Sequence, residues 1–105
     1  DQLIVQTRSK LAGLDPATGA ELWTRPVPSF RGMNILTPVV AADGVFTSTY
    51  GGTTQWFPVA AAAGGFAAGD GWAAKYEGNM TSPVVVGGHA YLLGKDQRAV
   101  CFDLK

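Results

Sequence analysis

Gly13-Leu14-Asp15-Pro16-Ala17-Thr18-Gly19-Ala20-Glu21-Leu22-Trp23 sets an Asp-x-x-Thr-Gly turn between two apolar runs, with an indole four residues past the glycine. Proline after the aspartate presets φ, the Asp15 and Thr18 side chains suit bonds to backbone amides inside the turn, and Gly19 supplies the positive φ that closes it. Outward from this stretch the chain repeats itself. Thr37-Pro38-Val39-Val40 returns as Ser82-Pro83-Val84-Val85 at an offset of 45 positions, and the same offset carries Phe46 onto Tyr91 and Phe57 onto Phe102. Setting Asp15 on Asp103 brings Lys10 onto Arg98, Leu14 onto Phe102 and Leu3-Ile4-Val5 onto Tyr91-Leu92-Leu93, about two periods away. A period in the forties made of four short strands is the pattern of a β-propeller blade.

Alternation and turn residues predict the strands. Leu3 to Thr7 and Lys10 to Leu14 form a hairpin, and Glu21 to Arg25 is an outer strand carrying Trp23. Pro26, Pro28 and Gly32 mark a crossing, because proline cannot continue a ladder. The next unit runs Leu36 to Ala41, turn Ala42-Asp43-Gly44, then Val45 to Tyr50. Gly51-Gly52 leads into Thr53 to Val59, and Gly64-Gly65 into a last strand around Trp72 to Tyr76. Ala60 to Ala63 is too short a run to hold a helix and reads as a strand end plus loop. The third unit repeats the first hairpin with Ser82 to Val86, turn Gly87-Gly88, Ala90 to Leu93, turn Lys95-Asp96-Gln97 and Arg98 to Leu104. The expected architecture is all-β, one partial propeller domain of four-stranded antiparallel blades. Residues 1–29 form a partial blade, 35–77 a complete one and 78–105 another partial one, about two and a half in all. The chain is expected to be a fragment of a larger propeller or a protomer that must assemble.

Composition agrees with a domain that leans on neighbours. Glycine and proline number 14 and 6 of 105 residues, and charged residues are 15%, against a usual ~25%. Few charges leave little surface suited to water, as in repeats that bury their faces against adjacent units. The formal net charge is zero and no Lys/Arg cluster occurs, so nucleic acid has no electrostatic footprint. No apolar run approaches the ~20 residues of a membrane span, and Asp1-Gln2-Leu3 lacks signal-peptide features.

Single residues suggest structure more than chemistry. Cys101 is the only cysteine, which excludes an internal disulfide and a multi-cysteine metal site. It reads as a small apolar residue in an alternating strand. His89 follows Gly87-Gly88 and reads as a turn residue. Trp56, in Gln55-Trp56-Phe57, reads as packed between blades. Asp70, Glu77 and Asn79 show no ligand spacing, and Asn79-Met80-Thr81 fits the N-glycosylation pattern but reads as polar punctuation.

These residues together resemble the PQQ-like propeller repeat, also called the quinoprotein alcohol dehydrogenase-like repeat. Its tryptophan-docking motif, Ala-x-Asp-x-x-Thr-Gly-x-x-x-Trp, is matched at Asp15, Thr18, Gly19 and Trp23, with Gly13 in place of the alanine. The Ser82-Pro83-Val84-Val85-Val86-x-Gly88 and Cys101-Phe102-Asp103-Leu104 stretches are also similar, so the resemblance spans the chain. The middle unit departs from it, since no Asp-x-x-Thr-Gly lies upstream of Trp72. What the resemblance implies is structural: Trp23 lays its ring on the next blade's turn while its N–H finds a carbonyl, and Asp15, Thr18 and Gly19 brace the turn. It also implies two function classes. One is a scaffold or protein-interaction module, outside the cytoplasm of a bacterium, whose partners are neighbouring blades or another protein, with no nucleic acid and no membrane insertion. The other is a segment of a dehydrogenase using pyrroloquinoline quinone and calcium, its catalytic residues elsewhere. The first is the expectation here, with no catalytic, cofactor-binding or metal residue in the chain.

Overall fold

The computed structural model describes residues 1–63 and 65–105. They form antiparallel strands and a single 3₁₀ turn, Phe30–Gly32. The first sheet has the order β1 (Leu3–Gln6), β2 (Lys10–Leu14), β3 (Glu21–Pro26). The second is built from β4 (Val39–Ala41), β5 (Gly44–Ser48) and β6 (Thr54–Ala62), with β7 (Gly65–Ala68) and β8 (Trp72–Ala74) both pairing with β6. The third has the order β9 (Val84–Val86), β10 (His89–Leu93), β11 (Ala99–Asp103). Sheets stacked in this way make a partial β-propeller.

The second sheet is sandwiched between the other two, and every residue of β5 is buried. Because neighbouring strand residues point to opposite faces, Val45 joins Leu11, Trp23, Val27 and Phe57 in a core against the first sheet. Phe46 joins Leu36, Ala90, Leu92 and Leu104 against the third. The buried hydroxyls of β5 and β6 find partners, as burial demands. Ser48 and Thr54 share a 2.8 Å bond, Thr54 Oγ1 lies 2.6 Å from the Tyr76 carbonyl, and Thr47 Oγ1 donates to Gln6 Oε1 across the first junction.

Three sequence expectations need correction. The first concerns Ala60 to Ala63. The strand end does fall in this stretch, at Ala62, but β6 pairs there with β7, a strand that the alternation did not reveal, to make a ribbon (Val59 with Ala68, Ala62 with Gly65). The switch of partner falls after Pro58, the last β6 residue paired with β5, where a missing N–H does least harm. Of the expected Gly64-Gly65 reversal, Gly64 lies outside the described residues.

The second concerns the Ala42-Asp43-Gly44 turn. Ala42 and Asp43 hold the two positive-φ positions, 51° and 60°, and Gly44 is the first residue of β5. Gly44 is small for another reason, since a Cβ there would meet the Trp56 ring and the Phe57 carbonyl. In the third unit Gly87 and Gly88 take the same two positions (φ 58° and 78°) without side-chain strain. Ala42→Gly should therefore stabilise the fold by about 1 kcal/mol, given the cost of a left-handed L-residue. A urea denaturation series with an unchanged m-value checks this.

The third is an alignment. Leu3 pairs with Leu14, and Ala90 with Phe102, so Leu3-Ile4-Val5 correspond to Ala90-Tyr91-Leu92. The turn is one residue longer in the third unit, and a one-residue slip exchanges the two faces of a strand.

Candidate functional site

The residues singled out by the motif meet other parts of the chain at the junction of the first two sheets. In the turn, Asp15 Oδ1 accepts the Ala17 amide at 2.8 Å, Thr18 Oγ1 accepts that of Ala20 at 3.3 Å, and Gly19 has φ 76° and donates to the Asp15 carbonyl at 2.7 Å. These bonds aim β3 so that Trp23 falls opposite Gly13. The indole lies across that glycine, and a Cβ at Gly13 would overlap it. Trp23 is 7% exposed and meets Phe57 edge-on, ring centroids 5.7 Å apart at 81°. Its N–H goes to Gln2 Oε1 at 2.7 Å, within its own sheet. The ring therefore meets an aromatic side chain of the second sheet where a turn was expected, and the carbonyl that its N–H finds is that of the Gln2 side-chain amide.

Sequence reasoning missed Arg25, two residues past Trp23 and on the same face of β3. Its guanidinium sits 4.4 Å from the Phe57 ring centroid, donates from Nε to Gln55 Oε1 at 2.9 Å, and reaches the carbonyls of Gly69 (2.8 Å) and Asp70 (3.2 Å). It therefore ties β3 both to β6 and to the base of the β6–β7 ribbon. The available signal was period-two spacing from the tryptophan. Arg25→Met should lower stability by about 1.5–3 kcal/mol, the worth of charge-assisted hydrogen bonds. A denaturant midpoint shift measures it, and Arg25→Lys should recover only part because a fork of donors is needed.

The junction of the second and third sheets uses the same chemistry in a different pose. Trp56 pairs with Trp72 in register just as Gly13 does with Trp23. A bulky side chain therefore occupies the seat that an indole takes in the first sheet. Trp56 lies instead over Gly44 and donates to the Ala41 carbonyl at 3.0 Å, packed as expected. Trp72, displaced, stacks on Phe102 of the third sheet at 5.7 Å and 21°, and its buried N–H has no partner. Phe46 touches both rings, at 6.2 and 5.7 Å. Tyr76 lies 5.8 Å from Phe102, and its phenol stands 3.0 Å from Asp96 Oδ1. Desolvation, then the bond to Asp96 and that carboxylate's charge, raise the phenol above the ordinary tyrosine pKa of 10.0.

The other candidates are dispersed. The Asp70 carbonyl serves Arg25, Glu77 pairs with Lys95 at 3.4 Å, and Asn79 Oδ1 accepts the Met80 amide at 2.8 Å. His89 Nδ1 lies 3.1 Å from the Gly87 carbonyl, at the turn. Cys101 is exposed on β11 rather than filling a core. It precedes Phe102 as Gly13 precedes Leu14, so it occupies the third sheet's equivalent of the indole seat. Among the described residues no group of three or more His, Cys, Asp or Glu could hold a metal ion. The neighbouring strands β4 and β9 carry only valine and alanine. A quinone with a hard cation needs carboxylate and amide oxygens converging on one point, and these residues do not fit that pair.

The family model described as outer membrane protein assembly factor BamB matches residues 1–105. The chain belongs to this PQQ-repeat family. No curated protein matches it. No helix among the described residues is long and apolar enough to cross a membrane.

Proposed function

We propose that this PQQ-repeat chain is a non-catalytic structural or protein-interaction segment whose partners are neighbouring blades or another protein. The observation that carries this reading is where its chemically capable side chains are spent. Trp23, Arg25, Trp56 and Trp72 are all engaged in joining or packing sheets. In this reading Trp23 is the docking residue, seated over Gly13 on a β3 aimed by Asp15, Thr18 and Gly19. Nucleic acid does not enter this reading, because the charges are balanced and dispersed. The compartment is extracytoplasmic, the periplasm or cell surface of a bacterium, in keeping with a family described by outer membrane protein assembly.

That this chain carries no quinone chemistry of its own is tested directly. Incubated with pyrroloquinoline quinone and calcium, the full chain should give dye-linked alcohol oxidation no faster than a protein-free control. Turnover above that control and abolished by Asp70→Asn or Glu77→Gln would overturn the scaffold reading.

A further inference from the structure

Tyr76 stands just past β8, at the end of the second sheet. Its carbonyl accepts the Thr54 hydroxyl at 2.6 Å and its amide donates to the Ala74 carbonyl at 2.8 Å, so its backbone belongs to that sheet. Its side chain is spent on the next one. The ring lies over Gly94, where a Cβ would overlap it, and its centroid is 5.8 Å from that of Phe102. The phenol O–H is shared between Asp96 Oδ1 at 3.0 Å and the Arg98 carbonyl at 3.1 Å. Gly94, Asp96 and Arg98 all lie between β10 and β11 of the third sheet.

The main chain after Tyr76 follows the same course. Gly78 forms an antiparallel bridge with Gly94, the Asn79 amide donates to the Leu93 carbonyl at 3.0 Å, and the Lys95 amide donates to the Glu77 carbonyl at 2.9 Å. Lys95 Nζ then reaches Glu77 Oε2 at 3.4 Å and lies 5.0 Å from the centroid of the Tyr50 ring. A ring laid on a neighbouring sheet's turn, with its polar hydrogen on a carbonyl there, is the contact expected of a docking tryptophan. Trp23 instead bonds Gln2 of its own sheet, and Trp72, at the equivalent place in the second sheet, leaves its N–H without a partner.

We propose that Tyr76 is the docking residue between the second and third sheets, taking there the role that the motif gives to tryptophan. Gly94 is its seat. The Gly94 backbone lies outside the left-handed region, so the missing side chain makes room for the phenol and does not serve a strained turn. The assignment goes beyond the scaffold reading and holds for a scaffold or an enzyme alike, so its failure leaves the non-catalytic reading untouched.

Urea denaturation of the full chain tests it. Tyr76→Phe keeps the ring and removes the O–H, and should raise the unfolding equilibrium constant about two- to tenfold, the worth of one hydrogen bond. Asp96→Ala removes one of the acceptors, and the two changes together should fall short of the product of their separate effects. Gly94→Ala should raise the constant about tenfold or more by overpacking. In a Tyr76→Ala background the same glycine change should cost less than about twofold, because the ring it meets is gone.

The pH profile separates a bond from mere bulk. The phenol is held above the ordinary tyrosine pKa of 10.0 by desolvation, then by its bond to Asp96 and that carboxylate's charge, with Arg98 acting in the opposite sense. Lys75, Glu77 and Lys95 are the other charged groups around the same groove. A raised pKa means that the folded chain keeps the proton. The stabilisation is therefore whole below the ordinary value and is lost as pH rises through the raised one, where a phenolate can no longer donate. Tyr76→Phe should remove part of the alkaline loss of stability, while Tyr50 and Tyr91 titrate in both chains. An unchanged midpoint in Tyr76→Phe, effects that multiply fully with Asp96→Ala, a Gly94→Ala cost that persists without the ring, or identical alkaline profiles would each overturn the assignment.

Discussion

Trp23→Ala is expected to lower the free energy of unfolding by about 3–5 kcal/mol, the range for removing a buried large aromatic side chain. The indole is 7% exposed, covers Gly13, packs edge-on against Phe57 and satisfies Gln2. Its removal opens a cavity between the first two sheets and leaves the Gln2 amide oxygen to find water. Urea denaturation followed by circular dichroism measures the loss. A double-mutant cycle with Phe57→Ala should return a coupling of about 0.5–1.5 kcal/mol for the aromatic pair. Zero coupling would mean that the tryptophan stabilises its own sheet and not the junction, which would remove the physical basis of its docking role.

Phe46→Ala should produce a loss of similar size, about 3–5 kcal/mol, but at the other junction. Phe46 is fully buried and contacts Trp72 and Phe102, which themselves stack. Its counterpart one period later, Tyr91, stands 48% exposed on the outer face of the third sheet, so Tyr91→Ala should cost well under 1 kcal/mol, as surface changes generally do. The two equivalent substitutions therefore separate repeat position from burial. Fluorescence should distinguish them as well, because Phe46→Ala exposes Trp72 while Trp23 keeps its contacts. If both cost the same, the third sheet's outer face is covered in solution.

Much of this architecture was already legible in single residues, because short-range physics dictates it. Proline after aspartate, threonine before glycine, and glycine pairs between alternating apolar residues each restrict φ or supply a local bond, so the turns and most strands could be read without knowing the rest of the chain. The 45-residue recurrence of Pro-Val-Val and an aromatic, together with the docking motif, was enough for the repeat family. Only tertiary structure decided what depends on neighbours distant in sequence. The β7 strand is spelled with glycine and alanine, residues of weak β-preference, around a single phenylalanine, and exists because β6 offers an edge to pair with. Gly13 and Gly44 look interchangeable with any small turn residue until an indole is seen lying over each. Arg25 closes the expected outer strand with nothing to mark it, and becomes a tie between sheets only when the Gly69 and Asp70 carbonyls and the Phe57 face come to meet it. The face exchange between Leu3-Ile4-Val5 and its repeat turned on a single extra turn residue, which no alignment of alternating strands can detect. Turn chemistry acts within a few residues and is written locally, whereas packing is settled by which side chains the folded sheets bring face to face.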